Sequence, residues 1–204
     1  MKRIEINNKE INNLLNDFST WFEKIDKSKI NLIGEPDKNE YYTGEEYFNS
    51  IDQDDHDGYP QVTYGTDIGI AGSTTNDMRE KIRNIDGDFN SILGSKHCAV
   101  KMYYPNGGFM GWHNNHNAHG YNILFSYTKN GNGFFRFKET DVPTTITIQD
   151  SPGWTAKVGY YGSNSEPDKL FWHCARAYED RLTLGFVIPD KEFWEMMIED
   201  IESK

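Results

Sequence analysis

Two histidines and one arginine are the residues of this 204-residue sequence whose types and spacing best fit a catalytic site. His113 follows a glycine-rich turn, His173 lies in a later strand-like segment, and Arg181 comes shortly after His173. Non-haem iron(II) centres commonly use two imidazoles and one carboxylate, which leaves positions open for a co-substrate and dioxygen. An arginine facing the same cavity offers a planar pair of donors to a distal carboxylate. The pattern therefore suggests an iron site with a bound carboxylate co-substrate.

The third ligand of such a site is not fixed by the sequence. Asn115 stands two residues after His113, where a strand period returns the side chain to the same face. If the strand ends at His113, His116 becomes the alternative third ligand, which predicts a three-histidine site of the kind found in cupin-type dioxygenases. By the same strand period, Thr183 places a hydroxyl on the face of Arg181.

Helices are predicted on either side of these residues. Apolar residues recur at steps of three and four from Ile11 to Ile25, which is typical of an amphipathic helix. A second helix is predicted to begin after an N-cap at Thr74 or Thr75 and to end near Gly94. A last helix follows Pro189.

The candidate ligands fall in the region between the second and third helices, where the pattern changes to short β-branched and aromatic runs separated by Gly, Pro, Asn and Asp. The predicted strands are Cys98–Tyr104, Asn122–Tyr127, Gly133–Phe137, Thr144–Ile148, Ala156–Tyr160, Lys169–His173 and Leu182–Ile188. They predict an α+β fold class, mainly β with flanking helices, built on a sandwich or jelly roll. We expect a single domain over residues 1–204, with a support region of helices and loops at 1–95, a jelly-roll core at 96–190 and a C-terminal helix at 191–204.

The order of these motifs resembles the iron(II)/2-oxoglutarate-dependent oxygenases, most closely the prolyl 4-hydroxylase-like branch. The resemblance covers Cys98 to Ile188 and rests on the run from Tyr104 to Asn115, the strand Asn122–Tyr127, the glycine turn and strand Gly131–Phe137, and the segment Lys169–Leu184. It implies a double-stranded β-helix, the jelly-roll form of this family.

The resemblance also implies roles for individual residues. His113 and His173 would bind Fe(II), while Arg181 and Thr183 would hold the far carboxylate of 2-oxoglutarate. The same co-substrate would contact Tyr104, or Tyr103 if the register slips. Such an enzyme consumes O2, hydroxylates a C–H bond of a protein side chain or a small molecule, and releases succinate from 2-oxoglutarate.

One departure from the family is that Asn115 stands where the metal-binding carboxylate is usual. A neutral amide removes one negative charge from the metal site, so metal affinity should fall. Three outcomes are open. Asn115 binds the metal through its carbonyl oxygen, or it stands aside and leaves an open position as in the halogenase-like variants, or the site is degenerate and the chain is a catalytically silent jelly-roll binding protein.

Bulk properties restrict the partners and the location. The formal net charge of −11 argues against binding modes dominated by nucleic-acid phosphates. The first residues lack the apolar run of a signal peptide and no segment reaches the roughly 20 apolar residues that cross a bilayer, so we expect a cytoplasmic protein without a membrane partner. Cys98 and Cys174 are expected to be reduced. The sequence specifies neither the oligomeric state nor the substrate beyond a small molecule or a protein or peptide side chain.

Overall fold

The computed structural model describes residues 1–115, 119–139, 144–163 and 165–203. Its α-helices in these ranges are α1 (Lys9–Lys24), α2 (Glu45–Ser50), α3 (Asn76–Leu93) and α4 (Lys191–Glu202). Short 3₁₀ turns lie at Lys27–Lys29, Tyr41–Thr43 and Pro167–Lys169. No helix in the described ranges is long and apolar enough to cross a membrane.

The strands form two antiparallel sheets. They are β1 (Lys2–Ile4), β2 (Thr63–Tyr64), β3 (Thr66–Asp67), β4 (His97–Tyr104), β5 (Phe109–His113), β6 (Gly120–Thr128), β7 (Gly133–Lys138), β8 (Ile146–Gln149), β9 (Gly153–Tyr161), β10 (Trp172–Ala177) and β11 (Arg181–Ile188). The larger sheet has the order β1-β9-β6-β11-β4-β3, and the smaller has the order β2-β5-β10-β7-β8. β10 and β11 are joined by a short turn but belong to different sheets, so the site residues they carry approach one another across the space between the sheets.

The largest hydrophobic core lies between the larger sheet and the helices. Leu15 and Phe18 of α1 and Phe89 of α3 are buried in the same cluster as Phe125 and Phe186 of the sheet. The apolar stripes of α1 and α3 are thus buried against the outer face of the larger sheet, where burial of a large apolar side chain stabilises the fold by about 1.5–3 kcal/mol. The helices therefore stiffen the sheet from outside and leave its inner face for the site.

Most predicted elements are confirmed. Thr75 is the N-cap of α3 and accepts a hydrogen bond from the Met78 amide, and Gly94 ends that helix in the left-handed region at φ +59°. The prediction for Lys169–His173 was wrong in its bounds. Pro167–Lys169 forms a 3₁₀ turn, and the strand is Trp172–Ala177. The fixed φ of proline favours the first turn of a helix, and this competes with the apolar run that follows.

Candidate active site

The two candidate histidines are direct partners in the antiparallel pairing of β5 with β10. His113 lies opposite His173 in the register, and their ring centroids are 4.1 Å apart. Both side chains are buried, with exposed fractions of 3% and 6%. Strand pairing thus brings together two imidazoles that are 60 residues apart in the sequence.

Each imidazole is oriented by the same local hydrogen bond. Nδ1 of His113 lies 2.8 Å from the Gly111 carbonyl oxygen, and Nδ1 of His173 lies 2.9 Å from the Phe171 carbonyl oxygen. Because a carbonyl only accepts, Nδ1 carries the proton in both rings, and Nε2 keeps its lone pair. This is the arrangement that metal-binding histidines use, in which a second partner fixes the tautomer.

Burial also keeps both rings neutral. It lowers the pKa of His173 to about 4. Burial, followed by the proximity of His173, lowers the pKa of His113 well below its ordinary value. Neutral imidazoles near pH 7 can bind a metal without first losing a proton.

Asn115 reaches the histidine pair, but not by the strand period that the sequence suggested. β5 ends at His113, and Asn115 adopts the left-handed conformation at φ +54°, which asparagine tolerates better than most residues. Its amide N–H donates to the Gly58 carbonyl at 2.7 Å, and this bond holds the turn. The side-chain amide nitrogen Nδ2 lies 3.4 Å from Nε2 of His173. A turn therefore places the third candidate ligand beside the imidazoles.

Arg181 begins β11 and is 1% exposed, and its guanidinium is held by hydrogen bonds on several sides. Nε donates to Asp150 Oδ2 at 2.7 Å, and Nη1 donates to Thr183 Oγ1 at 2.6 Å. Nη2 donates to Ser126 Oγ at 3.0 Å and contacts Asp150 Oδ1 at 3.4 Å. Thr183 is thus a hydrogen-bond partner of the guanidinium, as the strand period predicted.

Sequence reasoning missed the other charged residues of this cluster. Lys157 of β9 is fully buried, and its Nζ lies 3.1 Å from Asp150 Oδ1 and 3.0 Å from Ser126 Oγ. Burial alone would raise the pKa of Asp150, but Arg181 and Lys157 more than offset it and hold that pKa at about 2. Burial lowers the pKa of Lys157 to about 8, although Asp150 opposes that shift. A lysine inside an otherwise apolar predicted strand was the available signal.

One cavity of about 250 Å³ connects the histidine pair with the arginine. Its lining includes His113, His173 and Asn115 as well as Arg181 and Thr183. This volume is below the range of roughly 300–1,000 Å³ that is usual for drug-sized ligands, so the cavity suits a small molecule. The lining is mostly apolar apart from these groups, which leaves few positions for an oxygen-rich ligand to contact.

Two tyrosines on the cavity wall add hydroxyl groups. The Tyr104 ring lies 5.6 Å from the guanidinium carbon of Arg181, and its hydroxyl contacts the Met110 sulfur at 3.8 Å. Tyr161 packs its ring 5.0 Å from that of His173. The Tyr161 hydroxyl is buried and has no hydrogen-bond partner among the described residues. Burial raises the pKa of Tyr161, so this hydroxyl stays protonated and can donate to a ligand.

The structure also places the other residues that the sequence analysis named. Tyr103, the alternative to Tyr104, is on the opposite face of β4, where its hydroxyl donates to Asp180 at 2.9 Å, because side chains alternate along a strand. His116 lies outside the described residues. His56, which the sequence analysis did not single out, is 6% exposed and packs 4.8 Å from the Trp172 ring. Both cysteines are free thiols, Cys174 buried and Cys98 partly exposed.

The described residues contain no group of three or more His, Cys, Asp or Glu side chains that could hold a metal. The candidate set is instead two histidines and an amide. Imidazole Nε2 atoms suit a first-row divalent metal. Asn115 presents its amide nitrogen Nδ2 to Nε2 of His173, so its oxygen, a weaker and neutral donor, would bind a metal only after the amide turns over.

Comparison with known proteins gives distant similarities. No family model and no curated protein matches the chain. Among solved structures, a Pseudomonas putida prolyl-4-hydroxylase is 15% identical, with coverage of 92% of this chain and 91% of that chain and a TM-score of 0.45. A Trichoplax adhaerens prolyl hydroxylase, solved with a hypoxia inducible factor oxygen degradation domain peptide fragment, is 11% identical, with coverage of 92% and 95% and a TM-score of 0.43. At these values the reaction of the present chain has to be inferred from its own residues.

Proposed function

We propose that this protein is an iron(II)- and 2-oxoglutarate-dependent oxygenase built on a jelly-roll core. The observation that carries the proposal is the single cavity with two Nε2 lone pairs at one end and a buried guanidinium at the other. The first end suits a divalent metal and the second suits a carboxylate. A small dicarboxylate with a metal-chelating group is the kind of molecule that would use both ends.

The metal would be held by His113, His173 and the amide oxygen of Asn115. With Fe(II), 2-oxoglutarate and O2 bound, the chemistry supplied is hydroxylation of a C–H bond coupled to decarboxylation of 2-oxoglutarate to succinate. The chain's own residues bind and orient the reactants. The carbonyls of Gly111 and Phe171 fix the two rings, and the apolar lining limits water in the cavity.

At the other end, Arg181 would bind the far carboxylate of the co-substrate. Thr183 accepts a hydrogen bond from Nη1 of Arg181, so its own hydroxyl proton is available to the same carboxylate. The Tyr104 ring lies over the guanidinium, with its centroid 5.6 Å from the guanidinium carbon. Tyr161 would donate its unpaired hydroxyl to an oxygen of the ligand near His173.

The test uses anaerobic protein with Fe(II) and 2-oxoglutarate. We expect a weak visible metal-to-ligand charge-transfer band, and we expect it to disappear in Arg181→Ala. Thr183→Val is a milder companion variant. Its band should persist but should require a higher concentration of 2-oxoglutarate. A wild-type protein that binds no iron, gives no band and releases no succinate under air would overturn the proposal.

The second candidate is a metal-free binding protein that keeps the cavity. It is favoured by the neutral Asn115 at the third ligand position. Metal analysis after reconstitution with Fe(II) or Co(II) separates the two. One equivalent of bound metal supports the oxygenase, and none supports the binding protein.

A further inference from the structure

The buried charges behind the cavity wall do not balance. Arg181, Lys157 and Asp150 have side chains that are at most 1% exposed, and both cations pair with the one carboxylate of Asp150. Two cations and one anion leave a net charge of +1. Because an uncompensated charge in a protein interior is unfavourable, the cluster has a place for one more negative charge.

The hydrogen bonds around the cluster also leave donors toward the ligand. Asp150 contacts Arg181 at Nε and Nη2, and Nη1 has only Thr183 as a partner among the described residues. Thr183 lines the cavity and uses a lone pair toward Arg181, so its O–H remains to donate. Nη1 and Thr183 thus each keep an unused donor, and both residues line the cavity, which suits an anionic acceptor.

Lys157 is the residue that gives the cluster its excess positive charge. Without it, Asp150 would form a neutral ion pair with Arg181, and the attraction for a second carboxylate would be lost. Neither Lys157 nor Asp150 is among the residues that line the cavity, so both act through Arg181. Ser126 connects the two cations, since its Oγ accepts from Lys157 Nζ and from Arg181 Nη2.

We propose that Lys157 and Asp150 are positioning residues that set the charge of this subsite at +1, so that Arg181 and Thr183 accept one carboxylate in preference to a doubly charged phosphate-type group. The inference rests on the proposed function only for the identity of the natural ligand, 2-oxoglutarate. The charge balance itself does not depend on a metal, so it can be tested in metal-free protein.

The first experiment titrates metal-free protein with succinate by calorimetry and records thermal unfolding of the ligand-free protein. Lys157→Met should weaken succinate binding by roughly tenfold or more, because losing one positive charge behind Arg181 removes the net attraction of the buried cluster for the carboxylate. The same variant should raise the unfolding temperature, because the remaining Arg181–Asp150 pair is neutral. Stability and binding would then move in opposite directions, which damage to the fold would not produce.

The second experiment compares succinate with ethane-1,2-diyldiphosphonate, in which phosphonates replace both carboxylates. Wild-type protein should prefer succinate. Asp150→Asn makes the cluster +2 and should shift the preference toward the phosphonate by roughly tenfold, while lowering the stability of the ligand-free protein. Lys101→Met is the matched control, because Lys101 pairs with Asp86 at 3.3 Å in a different cluster and should leave both affinities unchanged.

Several results would overturn the inference. One is a wild-type protein that does not bind succinate. Another is a Lys157→Met variant that binds succinate with wild-type affinity, or that loses binding and stability together. A third is an Asp150→Asn variant whose preference between succinate and the phosphonate is unchanged. If Lys157→Met does not fold, Lys157→Gln provides the same neutralisation with a hydrogen-bonding group. A wild-type protein that binds no iron but shows the expected succinate selectivity would overturn only the proposed oxygenase. A protein that binds iron but lacks that selectivity would overturn only this inference.

Discussion

The side-chain amide of Asn115 lies 3.4 Å from Nε2 of His173, the atom that the Phe171 carbonyl leaves available by fixing the proton on Nδ1. The contact depends on the left-handed turn at Asn115, because β5 ends two residues earlier. A neutral amide therefore occupies the position beside the imidazoles where a carboxylate would add a negative charge to a metal site.

Replacing this amide by a carboxylate should strengthen metal binding. Asn115→Asp is expected to lower the dissociation constant for Co(II) or Fe(II) by roughly tenfold or more, because charge attraction is strong in a site screened from water. Competition titration against a chelating dye measures it. Asn115→Gly is the matched control, since glycine keeps the positive φ and removes the amide. Equal affinity in all three proteins would show that residue 115 does not bind the metal.

The histidine pair should make the protein less stable in acid. The folded pKa of His173 is about 4, below its unfolded value of about 6.5, so the unfolded chain binds more protons between these values. Stability should therefore fall as the pH drops from 6.5 toward 4. The double variant His113→Gln/His173→Gln should flatten this dependence in denaturant unfolding curves, while His97→Gln, an exposed control, should leave it unchanged. A double variant with the wild-type slope would contradict the assignment.

Anion binding should weaken in alkaline solution. Lys157 has a folded pKa of about 8, lowered by burial against the opposing effect of Asp150, with Arg181 and Arg3 as the other charged groups that act on it. Above that pH the lysine is neutral, and the cluster charge falls from +1 to zero. The dissociation constant for succinate should rise between pH 7 and pH 9.5. In Lys157→Met this rise should be absent, and a persisting rise would place the titrating group elsewhere.

The Tyr161 hydroxyl should contribute to ligand binding and not to folding. Because it is buried without a partner among the described residues, Tyr161→Phe should leave ligand-free stability unchanged or raise it by about 1–3 kcal/mol. The same change should weaken 2-oxoglutarate binding in Co(II)-loaded protein, measured by calorimetry. Tyr103→Phe is the control, because its hydroxyl donates to Asp180 on the opposite face of β4 and does not line the cavity. A destabilised Tyr161→Phe protein with normal 2-oxoglutarate affinity would assign the hydroxyl a structural role.

The sequence by itself determined the local elements and named the main candidate site residues. Periodic apolar residues predicted α1, and capping residues predicted the start and end of α3, because these signals act between neighbours along the chain. The pairing of Arg181 with Thr183 followed from strand alternation, which is also local. His113 and His173 could be named because they belong to a joint pattern, in which a glycine-rich turn precedes His113 and Arg181 follows His173 by eight residues.

Only the tertiary structure decided what surrounds these residues. The opposition of His113 and His173 depends on the register of β5 against β10, and the turn at Asn115 depends on a bond to the distant Gly58 carbonyl. In the sequence, Lys157 is marked only by its place in an otherwise apolar predicted strand, and Asp150 appears as an ordinary charged residue. Their effect arises because Lys157 on β9 and Arg181 on β11 both pair with Asp150, in the loop between β8 and β9, away from water, where the absence of solvent screening turns one excess charge into a binding preference.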